Sequence, residues 1–278
     1  MRYLLYNPIS GHGKAEELAR TYALTLSEKS VLIDMTAEDA LDAIGSADKT
    51  DSIVIFGGDG TLNYFVNHLE TASLSAAVFY YPAGTGNDFF LDIHAPVDSE
   101  PVEITKYLHS LPTVTYKSES KRFLNGVGYG IDGYCCEVGD KVRETGRSPD
   151  YTAIAVSGLL FHYKPTSATV TVDGVEHRYE KVWLAPTMFG AHYGGGMNPT
   201  PRQSRENDKL SVMVFHDSGK LKTLTIFPSI FKGEHIKHTK YVEILEGKEI
   251  KVAFDRPTPM QIDGETVLDV EEYFAAIG

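Results

Sequence analysis

Three glycine-rich segments each follow an apolar run, and each carries side chains suited to phosphate or a metal ion. The first is Asn7-Pro8-Ile9-Ser10-Gly11-His12-Gly13-Lys14, at the end of a short strand-like run and the start of a helical pattern. The second is Phe56-Gly57-Gly58-Asp59-Gly60-Thr61-Leu62-Asn63, and the third is Pro82-Ala83-Gly84-Thr85-Gly86-Asn87-Asp88-Phe89-Phe90. Glycine removes the Cβ that would hold a polyphosphate away from the backbone, and a helix N-terminus offers N–H groups and partial positive charge to an anion. The first loop lacks the G-x-x-x-x-G-K-[ST] spacing of a Walker A motif, and alone it is a moderate phosphate signal, with a plain βα turn as the alternative. Asp59 and Asp88 would repel phosphate, so they read as Mg²⁺ ligands, direct or through water; Asp59 is also a candidate base. Thr61 reads as the cap of the helix after the second loop, and Thr85 as a phosphate contact. Three such loops on strands of one sheet are more specific than any one of them.

The elements that would position these loops alternate regularly. Tyr3–Tyr6, Val31–Ile33, Ser52–Phe56 and Ala76–Tyr80 read as strands. Ala15, Leu18, Ala19, Tyr22, Ala23 and Leu26 recur at helical spacing, as do Leu62, Phe65, Val66 and Leu69, and a further helix is expected over Ala37–Ile44. The order predicts an α/β N-terminal domain over residues 1–111, a parallel sheet with flanking helices whose strand ends carry the ligand. After Pro96, Pro101 and Pro112 strand-like runs dominate, so residues 112–278 read as a mainly antiparallel β domain. A late strand returning to the first sheet is left open. The runs are Thr113–Lys117, Ala168–Val172, Val182–Pro186, Leu210–Phe215, Val242–Leu245, Ile250–Phe254 and Met260–Ile262, with a hairpin turn at Asp173-Gly174. Helices are expected at Gly133–Glu144, Tyr151–Phe161 and Leu221–Phe231, the last broken or kinked by Pro228. A cleft between the two domains is the natural place for a site.

Composition narrows the classes. The net charge of −12 argues against a nucleic-acid partner. No apolar stretch reaches the roughly 20 residues of a membrane span, and the N-terminus reads as a strand, not a signal peptide. The adjacent Cys135 and Cys136 cannot staple distant parts of the chain, which points to a reducing, cytoplasmic compartment. Lys232-Gly233-Glu234-His235-Ile236-Lys237-His238-Thr239-Lys240 is base-rich, and reads either as a solvated loop or as a face for phospholipid headgroups.

The three loops resemble the three signatures of the diacylglycerol kinase catalytic domain, a family that includes soluble bacterial lipid kinases and sphingosine and ceramide kinases. The resemblance continues through Asn125-Gly126-Val127-Gly128-Tyr129-Gly130-Ile131-Asp132, Gly194-Gly195-Gly196-Met197 and Ile262-Asp263-Gly264-Glu265, and so covers nearly the whole chain. The GGDGT loop alone also occurs in NAD kinases and phosphofructokinases; its combination with the GTGND loop and the late Asp-Gly-Glu is specific. The resemblance implies ATP as phosphate donor, with Mg²⁺. The phosphates would lie over Asn7, Pro8, Ile9, Ser10 and Gly11 and over Gly57, Gly58, Asp59, Gly60, Thr61, Leu62, Asn63 and Tyr64, with Thr85 nearby. Thr36 would stand beside the nucleotide, although a helix cap before Ala37 explains it equally. Glu265 matches the family's proton acceptor, Asp59 is the alternative base suggested by the sphingosine kinase branch, and Asp88 would complete an Asp–water–Mg²⁺ network. From spacing alone Glu265 is an exposed hairpin residue. A structural Mg²⁺ is implied at Ser204-Arg205-Glu206-Asn207-Asp208-Lys209-Leu210, with Asn207 or Asp208 as side-chain ligand and the Lys209 carbonyl and the Ser204 region completing it.

These readings predict a peripheral lipid kinase at the inner face of the membrane. It would phosphorylate diacylglycerol, with Tyr151–Phe161 contributing a lipid pocket and a homodimer as an open alternative to a monomer. A kinase for a sphingoid base, another lipid or NAD, and a nucleotide-binding module without catalysis, are the competing classes. The retention of Asp59, Asp88 and Glu265 together argues against the last.

Overall fold

A computed structural model describes residues 1–37, 40–69, 74–84, 86–94 and 100–278. The chain divides into two compact units, Met1–Leu111 and Pro112–Gly278.

The first unit is built on parallel strands whose continuous apolar runs need cover on both faces. Its strands are β1 (Arg2–Tyr6), β2 (Ser30–Asp34), β3 (Ser52–Gly57), β4 (Ala77–Pro82) and β5 (Val102–Glu103), in the order β2-β1-β3-β4-β5. β3 is buried from Ile53 to Gly57. It lies between β1 and β4, parallel to both, with Val54 opposite Leu4 and Phe79. The parallel core is the one the alternating pattern predicts. The sheet is nevertheless mixed, because the two-residue β5 runs antiparallel to β4. So short a strand, directly after Pro101, leaves no readable alternation.

Among the described residues four α-helices accompany the sheet: α1 (Lys14–Thr25), α2 (Asp59–His68), α3 (Asp88–Asp92) and α4 (Thr105–Leu108). α1 buries Ala15 and Ala19 against Leu4, Tyr6, Val54 and Phe56. The helix expected over Ala37–Ile44 is absent among the described residues of that stretch. Turns replace it, with Ala40 N donating to Ala37 O and Ile44 N to Leu41 O. A stretch of eight residues is short for helix nucleation. Thr36 does not cap one either: its N–H and hydroxyl both turn back to Asp34 Oδ1, at 2.8 and 2.7 Å.

The second unit contains β6 (Thr113–Tyr116), β7 (Glu119–Arg122), β8 (Gly126–Tyr129), β9 (Thr166–Val172), β10 (Val175–Val182), β11 (Thr187–Met188), β12 (Leu210–Phe215), β13 (Val242–Gly247), β14 (Glu249–Ile262) and β15 (Glu265–Ala276). The sheet order is β13-β12-β11-β8-β14-β15-β6-β7, with β9 also on β14 and β10 on β9. All the pairings are antiparallel. Asp173 and Gly174, both at positive φ, turn β9 into β10. The runs Ile250–Phe254 and Met260–Ile262 are one strand, β14, whose register with β15 shifts between Ala253 and Met260, around Pro257 and Pro259. Its first half pairs with β9 and its last residues with β8. β14 and β15 both lie in this sheet.

Three helices complete the unit: α5 (Ile131–Glu144), α6 (Tyr151–Ser157) and α7 (Lys220–Ile226). α6 continues into a wide turn over Gly158–His162, and α7 tightens into a 3-10 turn over Phe227–Lys232 at Pro228. α5 approaches β14 so closely that a Cβ on Gly133 would lie 1.8 Å from Pro259 O. Cys135 and Cys136 are free thiols on α5, raised in pKa by burial. The first turn of α5 also buries Asp132, which is 6% exposed and accepts a hydrogen bond from the Tyr193 hydroxyl.

Burial raises the Asp132 pKa to about 7, against the Tyr193 hydrogen bond, which lowers it. The unfolded carboxyl ionises near pH 4, so the fold favours the protonated form. That contribution is complete below about pH 4 and is lost as pH rises through about 7. Urea unfolding of the protein and of Asp132→Asn should therefore diverge with pH. The parent loses stability relative to the variant between pH 4 and pH 7, by a few kcal/mol in order of magnitude; parallel profiles would show that Asp132 does not carry this dependence.

Candidate active site

The C-terminal ends of β1, β3 and β4 are neighbours in the sheet, so the three glycine-rich loops emerge side by side. Asn7 N donates to Phe56 O at 3.4 Å. Asn7 then folds its own loop, accepting Ile9 N on its side chain and Ser10 N on its carbonyl. The Ser10 and Thr61 hydroxyls are 3.0 Å apart, joining the first loop to the second. The Gly57 carbonyl accepts from Ala83 N at 2.7 Å, Gly84 N at 3.2 Å and the Tyr80 hydroxyl at 3.0 Å. Burial and the Asp59 charge raise the Tyr80 pKa, so the phenol remains a donor. The backbones touch: a Cβ on Gly84 would fall 2.5 Å from Gly58 Cα, and one on Gly11 2.1 Å from Ala83 O. Glycine is required at these two places by the approach of neighbouring chain.

Asp59 sets the relation between the second and third loops. Its Oδ2 accepts Asp88 N at 2.7 Å and its Oδ1 accepts Phe89 N at 3.2 Å, so it caps α3 from a distant position in the sequence. The local cap residue, Asn87, is in the left-handed region and binds elsewhere, donating to Gly84 O and accepting from Tyr80. Asp88 is 3% exposed. From the Cβ position of the exposed Gly86, Asp59 Oδ2 is 3.6 Å away and Asp88 Oδ2 3.8 Å. Two carboxylates thus converge beside an open glycine. Their oxygens are of the hard type a partly hydrated Mg²⁺ takes, with both Asp59 oxygens also accepting backbone N–H groups.

The other residues singled out from sequence differ in how far they reach solvent. Ile9 is 79% exposed, with Pro8 half-buried behind it. Gly60 has open space at its Cβ position. Thr61 lies inside the first turn of α2, and the cap is Gly58, whose carbonyl accepts from Thr61 N and Leu62 N. Leu62 and Asn63 are buried. Tyr64 is half-exposed and stacks on His68, ring centroids 3.9 Å apart. Thr36 is exposed on the turn after β2. Thr85 lies outside the described residues.

In the second unit Glu265 begins β15, directly after the Asp263-Gly264 turn, with both turn residues at positive φ. Asp263 anchors that turn: its carboxylate accepts Leu124 N at 2.5 Å, Asn125 N at 2.8 Å and Gly126 N at 3.0 Å. Arg205 braces the same segment, donating to Leu124 O and to Asn125 Oδ1. Glu265 is exposed, and its Oε2 is 2.8 Å from Lys121 Nζ on β7. The carboxylate raises the Lys121 pKa through that hydrogen bond. Lys121 escaped the sequence reading because 144 residues separate it from its partner.

The segment expected to hold a structural Mg²⁺ carries internal contacts of its own. The Asp208 carboxylate is paired with the Lys248 ammonium, and the Lys209 carbonyl accepts Gln203 Nε2 at 2.9 Å. The Asn207 carbonyl accepts Lys209 N, and the Ser204 hydroxyl and carbonyl accept Glu206 N and Asn207 N. Internal donors thus meet several of the oxygens named for the cation.

Replacing Asp263 by alanine strands three backbone N–H groups in the buried Leu124–Gly126 segment. The expected loss is about 3 kcal/mol in denaturant unfolding, with Asp263→Asn falling between that variant and the parent; an unchanged midpoint for the alanine variant would refute the anchoring role.

The diacylglycerol kinase catalytic domain matches residues 2–114, and the YegS C-terminal NAD kinase beta sandwich-like domain matches residues 125–274. A diacylglycerol kinase of Mycobacterium tuberculosis is 26% identical over 247 residues, covering 84% of this chain and 79% of its own. A solved diacylglycerol kinase of Bacillus anthracis shares the fold, with a TM-score of 0.63 at 16% identity over 99% of this chain and 93% of its own. A second solved chain from that organism reaches 0.71 at 17% identity, over 100% of this chain and 92% of its own. The converging carboxylates on three glycine-rich strand ends therefore have a family to stand in: the chain belongs to the diacylglycerol kinase family, its first unit carrying the catalytic domain and its second the YegS-type C-terminal domain.

Proposed function

We propose that the protein is an ATP-dependent lipid kinase that phosphorylates diacylglycerol, giving phosphatidic acid, as a peripheral protein at the inner face of the membrane. The observation that carries the kinase reading is the convergence of Asp59 and Asp88 beside Gly86, among glycine-rich loops. Family membership and the Mycobacterium tuberculosis relative support a lipid acceptor. No helix among the described residues is long and apolar enough to cross a membrane, which suits peripheral attachment.

In this reading the loops around Asn7–Gly11 and Gly57–Gly60 offer backbone to the ATP phosphates. Asp59 and Asp88 would hold Mg²⁺, which would supply positive charge to neutralise the phosphates. Glu265 accepts the proton of the lipid hydroxyl as that oxygen bonds to the γ-phosphorus and the bond to the ADP oxygen breaks. Lys121, paired with Glu265, holds the carboxylate in place. Asp59 is the weaker candidate for the base, because both its oxygens already accept backbone N–H groups.

Two variants separate these roles. Glu265→Gln should lower kcat on the order of a hundredfold or more with an unchanged unfolding midpoint. Asp59→Ala should lose activity and also about 1 kcal/mol of stability, since α3 loses its cap. Normal turnover in either variant removes that residue from its role. The function itself is tested with labelled ATP and Mg²⁺ against diacylglycerol, a sphingoid base and other lipids in mixed micelles, with NAD as soluble acceptor. Labelled phosphatidic acid is the expected product; label only in NADP would sink the lipid reading.

A further inference from the structure

Two segments of the second unit lie over one core cluster and turn apolar side chains outward from it. Leu159 on one segment, and Ile226 and Ile230 on the other, are buried with Trp183, Phe215 and Val242. On their outer sides Phe161 is 72% exposed, Leu221 78% and Phe231 50%. The segments are tied together by Lys220 Nζ, which donates to Leu160 O at 2.6 Å. Lys222 and Lys240 converge on the Tyr241 ring, at 5.7 and 5.5 Å from its centroid. Tyr241 itself packs against the same core cluster.

Charge singles out this face. Between Gly219 and Tyr241 the sequence holds five lysines and one acidic residue, Glu234, in a chain of net charge −12. Glu234 is paired with Lys237 at 2.9 Å, so Lys220, Lys222, Lys232 and Lys240 keep their charge uncancelled by it. A lone exposed leucine is ordinary on a soluble protein. Three large apolar groups flanked by lysines form the pattern of an interfacial element, which sinks its apolar side to the level of the acyl chains and sets its cations among anionic headgroups. The acidic remainder of the chain is repelled by the same surface, which gives the encounter an orientation.

We propose that α7, its 3-10 extension to Lys232, the Gly158–His162 turn and Lys240 form the face by which this protein docks on an anionic lipid bilayer. Leu221, Phe161 and Phe231 enter the boundary between headgroups and acyl chains, and Lys220, Lys222, Lys232 and Lys240 meet the lipid phosphates. A second copy of the chain is a poorer occupant, because a two-fold contact through this face would set lysines against lysines. The assignment deepens the lipid-kinase reading and rests on it for its purpose, but the docking is measured without ATP.

The experiment is co-sedimentation of the full chain with vesicles of equimolar phosphatidylcholine and phosphatidylglycerol, beside vesicles of phosphatidylcholine alone. The parent protein should pellet with the mixed vesicles, weaken as salt rises, and stay in solution with the neutral ones. Leu221→Asp, and the pair Lys222→Glu with Lys240→Glu, should each weaken the partition by about tenfold or more, with melting curves unchanged because these side chains are exposed. Leu24→Asp, at a site 88% exposed on α1, should bind as the parent does. Parent-like binding by the Leu221 or lysine variants overturns the assignment, as does equal binding to neutral vesicles. A parent dimer that Leu221→Asp splits into monomers also overturns it, and makes the face a contact between copies. Leu221→Asp should phosphorylate a short-chain, water-soluble diacylglycerol at the parent rate. If the parent phosphorylates no lipid yet binds vesicles in this pattern, the lipid-kinase reading fails and the docking face stands.

Discussion

The site in the first unit depends on one carboxylate reaching two backbone N–H groups. Asp59 starts α2, yet it caps α3, about thirty residues on, through Asp88 N and Phe89 N. A helix of five residues cannot form alone in water. It stands because its orphan donors meet a charged acceptor and because Phe89 and Phe90 are buried beneath it. The same contact brings the Asp88 carboxylate to the side of Gly86 that Asp59 already faces. The helix cap and the convergence of the two carboxylates are thus one arrangement, and the Tyr80 hydroxyl holds it through Gly57 and Asn87.

The second unit uses the same physics for a different end. Asp263 accepts three successive backbone N–H groups from the Leu124–Gly126 segment and so fixes the turn from which Glu265 projects. An exposed glutamate on a free hairpin would be poorly placed to act as a base. Here the turn is pinned to the strand that opens β8, and Lys121 on β7 holds the carboxylate from the side. In both units a buried or half-buried aspartate orders the backbone so that a neighbouring carboxylate is presented in a defined place.

Acidity overall and basicity locally are compatible because charge is segregated. The lysines of the 219–241 stretch lie over a core of Leu159, Ile226 and Ile230, which fixes the segments that carry them. Elsewhere cations are spent in pairs, such as Lys248 with Asp208, Arg178 with Asp255 and Lys251 with Glu272. The first of these pairs lies in the segment where a structural cation was expected from sequence.

Features that arise from local pattern were legible in the amino-acid order. The β-branched run of β3, the spacing of Ala15 and Ala19 on α1, the Asp173-Gly174 hairpin and the break at Pro228 are each consequences of neighbours within a few residues. So are the three glycine-rich loops at strand ends, since strand, turn and helix start are local signals. The remaining features came only with folding, because they are pairings between residues far apart. Among the described residues of the 37–44 stretch turns replaced the expected helix, with Ala40 and Ile44 buried without helical continuity. β15 was unreadable because its exposed positions mix acids with Leu268 and Phe274, and its strand identity comes from β14 and β6. Asp59 as a cap for α3, Asp263 as an anchor for residues 124–126 and Lys121 as partner of Glu265 each join residues from about 30 to more than 140 positions apart. Such hydrogen bonds leave no periodicity in a chain; they exist only once burial has removed the competing water and brought donor and acceptor together.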